Sequence, residues 1–169
     1  MKIHFTSSNN KSVEQTEDYA IKKVVQTREL YIGKAAINEN GGFMIKLINK
    51  TGSPTVKGSV VAASDSTDNA FKLQANEYDS IGIVFESGIP DGSDAWIIVS
   101  GIAEVLFKDG ESSTREWVVL AADTDGRALN IDVPTVNPVV ADHFKEIGHV
   151  LESKVAGTNI LVKCVIHFN

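Results

Sequence analysis

The chain has 169 residues, of which 43% are hydrophobic and 22% charged, with a formal net charge of −6. That length suits one domain, or one domain with an extension, and is enough to bury a core without metal or disulfide staples. The acidic balance argues against nucleic-acid binding, which needs clustered Lys and Arg, and the single Cys164 excludes an intramolecular disulfide and a Cys-rich zinc site; no run approaches the ~20 apolar residues that span a bilayer.

In chain order, residues 1–12 are polar and carry no apolar core of signal-peptide length. Residues 13–37 (VEQTEDYAIKKVVQTRELYIGKAAI) point two ways. Glu14, Glu17 and Asp18 ahead of Lys22 and Lys23 suit a helix dipole, whereas Val24, Val25, Thr27, Tyr31 and Ile32 suit strands. The segment reads as an arm, part helical and part extended. Asn38-Glu39-Asn40-Gly41-Gly42 then forms a turn or hinge. The expected organisation is an N-terminal arm over 1–42 that binds a partner, followed by a β-rich domain over 43–169.

From Phe43 the punctuation is that of an all-β protein. Strands are expected at 43–49, 56–63, 70–75, 80–86, 95–107, 116–122, 127–133 and 159–169, separated by Gly-, Asp-, Asn- and Ser-rich turns. Ser100-Gly101 marks a bulge or corner inside the long apolar run 95–107. Asp109-Gly110 signals a hairpin across which 116–122 pairs with that run, and Asp125-Gly126 signals another turn. One short helix is expected near 138–147, with Asn137-Pro138 at its start and Gly148 as its stop. In the last strand Leu161, Lys163, Val165 and His167 form a mixed face, and Val162, Cys164, Ile166 and Phe168 an apolar one. The fold class is all-β, a β-sandwich or β-barrel, with that one helix and the arm.

No catalytic, cofactor-binding or metal-binding residue is expected. His143 and His149 stand six apart across a helix end, which does not place them on one face, and His4 and His167 are remote in sequence. HExxH, GxSxG, SxxK, GxGxxG and the P-loop pattern are all missing. Asp142-His143 with a serine is too common a combination to mark a triad. Asp123-Thr124-Asp125-Gly126 lacks the downstream oxygen ligands of a calcium loop and reads as a hairpin turn, and Asp65, Asp68 and Asn69 read as a polar loop. Trp96 and Trp117 sit in apolar strands and read as core or rim anchors. Cys164 reads as a small buried apolar side chain.

Two stretches resemble small virion-associated proteins of tailed bacteriophages, the head decoration, head-fibre and capsid structural proteins. One runs from Asn49 to Val105 (NKTGSPTVKGSVV, then YDSIGIVFESGIPDGSDAWIIVSGIAEV), and the other is the tail HFKEIGHVLES…AGTNILVKCVIHFN. The resemblance implies a structural role without enzymatic activity or cofactor. It implies a subunit on the capsid surface, assembled in the host cytoplasm, with the major capsid protein as partner. A homo-oligomer is expected, a trimer in first place, with neither nucleic acid nor membrane as a ligand. The alternatives are a head-fibre or tail-associated receptor or glycan binder, and a small β-barrel hydrolase.

Overall fold

The computed structural model describes residues 34–75, 79–132 and 140–168. The chain divides into two compact units, Met1–Ala36 and Ile37–Asn169. The arm expected over 13–37 falls largely outside the described residues, as do His4 and the Asn137-Pro138 cap. A short strand, β1 (Ala35–Ile37), crosses the unit boundary. The second unit then runs β2 (Phe43–Asn49), β3 (Val60–Ala63), β4 (Ala70–Leu73), β5 (Ser80–Val84), β6 (Asp94–Leu106), β7 (Val118–Ala121), β8 (Ala128–Ile131), α1 (Val140–Lys145), β9 (Glu146–Val150) and β10 (Leu161–Ile166). The all-β class with a single short helix holds among the described residues. None of their helices is long and apolar enough to cross a membrane.

Five strands close a barrel in the order β2-β4-β3-β5-β6, with β6 returning to β2. Only the β2–β4 pairing is parallel. The strands are rich in β-branched residues, and their inward side chains fill the barrel. Val61, Phe71, Val84, Ala95 and Ile97 form its centre, flanked by Ile45, Leu47, Ile81, Ile89 and Val99. Each of the Val, Leu, Ile and Phe side chains, once buried, contributes roughly 1.5–3 kcal/mol. Outside the barrel, the Lys46 ammonium lies 4.8 Å from the ring centre of half-buried Trp96.

The long strand β6 serves two sheets. Residues Asp94–Ser100 pair with β2 and β5, whereas Gly101–Leu106 pair antiparallel with β10. The change of sheet occurs at the Ser100-Gly101 corner expected from sequence. Gly101 has φ +85°, and a Cβ there would meet the Gly41 carbonyl oxygen at 2.6 Å. That oxygen belongs to the 38–42 turn, where the Asn38 carboxamide oxygen accepts the Gly42 N–H at 2.7 Å and the Asn40 N–H at 3.0 Å.

From β10 the second sheet continues through β9 and β7 to β8. A parallel bridge from Ala128 to Phe107 brings it back to the end of β6. Val162 faces Val105 and Cys164 faces Ala103 across the β6–β10 ladder, and all four are buried. The final strand thus shows the expected alternation. The hairpin expected across Asp109-Gly110 does not form. β6 pairs with β10 instead, and β7 with β8 and β9. The turn itself is present but is held by a distant loop. The Asp109 carboxylate accepts the Asn159 N–H at 2.8 Å and an Arg127 N–H at 3.2 Å, and the Gly110 N–H donates to Gly157. The true hairpin is β7–β8, turning at Asp123–Gly126 with the Arg127 N–H bonded to the Thr124 carbonyl.

Two turns of the barrel are clasped together. The buried Asn49 side chain donates to the Ser53 carbonyl at 2.8 Å and the Ile89 carbonyl at 3.0 Å, and accepts the Thr51 N–H at 3.0 Å. The Gly52 N–H reaches the Asp91 carboxylate at 2.9 Å. The Thr55 hydroxyl donates to Glu86 at 2.8 Å and accepts the Ile89 N–H at 2.9 Å.

Candidate functional site

The residues with the most chemistry to offer meet where α1 runs into β9. The helix ends at Lys145, and Glu146 and Ile147 begin a strand rather than a last helical turn. Gly148 is therefore no helix stop. It lies within β9 at φ +150°, where a Cβ would meet the Val165 carbonyl oxygen of β10 at 2.1 Å. Only glycine lets the two backbones approach this closely.

A bulge then re-aims the side chains of β9. Against β7, Val119 faces Gly148 and Leu120 faces Glu146, so Ile147 is an extra residue. Residues three apart in a regular strand point to opposite faces, and the extra residue cancels that. Ile147 and Val150 both turn into the core, each 1% exposed. Glu146 and His149 accordingly share the outer face. On β10, Val165 lies directly opposite His149, and His167 follows two residues later on that same face.

The result is one carboxylate ringed by three imidazoles. Glu146 Oε1 is 3.7 Å from His149 Nε2 and 3.6 Å from His167 Nε2, while Oε2 is 3.5 Å from His143 Nδ1. The two imidazoles of His149 and His167 lie 5.4 Å apart, tilted by 44°. Glu146 is mostly covered, at 17% side-chain exposure, and the histidines are more open to solvent. His143 and His149, which sequence spacing keeps off a common face, are thus brought to the same carboxylate. The missed signal was the strand. Read as strand, EIGHV places its polar side chains beside the polar alternation of the last strand, where His167 was already on the mixed face.

The other candidates resolve into local roles. Asp123 pairs with Lys108 at 2.9 Å, and this ammonium holds the carboxyl below the usual range. Asp65 pairs with Lys72 at 3.0 Å, which likewise lowers it. Cys164 is fully buried, and desolvation pushes its thiol up to about 12, so at neutral pH it is protonated and a poor nucleophile. Nothing is described of the Asp142 side chain. A depression lined by Asn38, Lys57, Val84, Phe85, Ile98 and Glu104 measures about 50 Å³, small against the roughly 300–1,000 Å³ of ligand pockets.

No family model and no curated protein matches the chain. Among solved structures it is similar to the N base of the head fiber gp8.5 in bacteriophage phi29. The identity is 16% and the TM-score 0.48, over 73% of this chain and 92% of that one.

Proposed function

We propose that this chain is a virion structural protein of a tailed bacteriophage, bound to the outer surface of the capsid as a decoration or cement subunit. Its partner is the major capsid protein, residues 1–42 are the attachment arm, and a homotrimer is the favoured assembly. The observation that carries this reading is the use made of the segments in which the sequence resembles phage head proteins. The NKTGS turn and the SGIPDG turn clasp one another through Asn49, Thr55 and Asp91. The tail segment supplies β9 and β10, which complete the second sheet. These residues are spent on stiffness. A subunit that sits on a lattice needs a stiff body and an attachment segment, and gains strength from many equivalent contacts.

The test is sedimentation with expanded empty capsids of the encoding phage. Full-length protein should pellet with them at a fixed copy number. Removing residues 1–33, which ends the deletion before β1 and the Asn38 turn, should leave the far-ultraviolet circular dichroism of a folded β body and weaken capsid binding. Failure of the full chain to pellet would sink the capsid reading. Unchanged binding after the deletion would remove the arm from it. Glycan binding by the isolated protein, without capsid binding, would favour the receptor-binding alternative.

A further inference from the structure

We propose that Glu146, His149 and His167 form a binding site for a divalent transition-metal ion of the zinc class. This goes beyond the capsid-surface reading and does not depend on it. One ligand atom from each residue lies within 4.8 Å of the other two. In a tetrahedral zinc site with bonds of 2.0–2.2 Å, ligand atoms stand about 3.3–3.5 Å apart. Glu146 Oε1 is already 3.6 Å from His167 Nε2 and 3.7 Å from His149 Nε2. Small rotations of the two imidazoles close the remaining gap, and both rings are open enough to solvent to make them.

The donor set selects the ion. Two imidazole nitrogens and one carboxylate oxygen suit zinc and its neighbours in the transition series, whereas calcium and magnesium take oxygen ligands. His143 approaches the second carboxylate oxygen, Oε2, at 3.5 Å. It is a positioning residue that fixes the carboxylate from the side away from the ion, as partners of metal ligands commonly do. Three protein ligands leave the fourth position to solvent. The ligands also come from a prepared scaffold. The β9 bulge puts Glu146 and His149 on one face, and the Ile147 carbonyl accepts the His167 N–H at 3.1 Å, fixing the end of β10 beside them.

The experiment is equilibrium dialysis of the untagged full chain against zinc chloride, with nuclear magnetic resonance of the four imidazoles in the same sample. We expect one zinc per chain, with the His149 and His167 ring signals shifting and that of His4 unmoved. The variants His149→Asn and His167→Asn should each weaken binding by more than about tenfold, the loss that even an outer partner can cause at a metal site. His4→Asn should bind as the natural chain does. The proposal is overturned if the folded wild-type chain takes up no zinc, or if zinc shifts other imidazoles and leaves those of His149 and His167 in place. Because the resonance measurement uses the unaltered protein, a variant that fails to fold does not remove the test.

Discussion

The Asn49 carboxamide is fully buried and makes three hydrogen bonds, two as donor and one as acceptor, joining turns that are 40 residues apart in sequence. Removing it strands the Ser53 and Ile89 carbonyls and the Thr51 N–H. Asn49→Ala should therefore cost about 1–3 kcal/mol, the penalty for leaving buried polar groups unpaired. Asn49→Asp should be no milder, since a carboxylate cannot donate to two carbonyls. Urea denaturation of both variants checks this, and an unchanged midpoint for Asn49→Ala would show that the clasp is not stabilising. Glu152 gives a pH dependence. The Lys154 ammonium, 2.8 Å away, and the Lys163 N–H, 2.7 Å away, together hold its carboxyl below the usual value of 4.5. A carboxyl depressed in the folded state stabilises above its unfolded pKa, and that contribution is lost as pH falls through the folded value. Melting temperature should thus drop on acidification below 4.5, and Glu152→Gln should flatten that part of the profile. An identical acid limb in the variant would exclude Glu152 as its source.

Among the elements, β6 and β9 carry irregularities that the sequence showed unequally. The Ser100-Gly101 corner was legible, because a glycine amid a long apolar run has few other uses. Gly101→Ala meets both a left-handed backbone and the Gly41 carbonyl, so it should destabilise by at least the ~1–3 kcal/mol of a non-glycine residue forced into such a conformation. Chemical denaturation reads the effect, and a loss below about 0.5 kcal/mol, ordinary for a surface substitution, would count against a tight corner. The β9 bulge was not legible. EIGHV follows a helical run directly, and Phe144 and Ile147 keep a helical spacing even though Ile147 has entered a strand. Periodicity measures spacing, and a three-residue interval serves a helix turn and a bulged strand equally well. The Glu146 cluster was hidden for that reason, since its members share a face only once the extra residue is counted.

At the scale of the molecule, eight of the strands and their order along the chain could be read from alternation and turn chemistry, whereas β1, β9 and the pairing of the strands could not. Asp109-Gly110 has the composition of a hairpin turn, yet Asp109 bonds to Asn159 and Arg127, and the strand before it finds its partner more than 50 residues onward. Local composition reports a change of direction and is silent about which distant ladder is the better packed. The ladder that won aligns Val105 with Val162 and Ala103 with Cys164, a match of apolar faces that shows only when the two segments are laid side by side.

One strand shared between two sheets also sets an order of assembly during synthesis. All five strands of the barrel lie before Phe107 in the chain, so the barrel can close on the nascent chain once β6 has left the ribosome. The other half of β6, Gly101–Leu106, then waits for β10, which is complete only at Ile166. In that interval its apolar side chains and unpaired backbone form an open strand edge, the kind of surface to which neighbouring nascent chains adhere. The period of greatest exposure to misassembly therefore falls after the barrel is finished and before the second sheet can form.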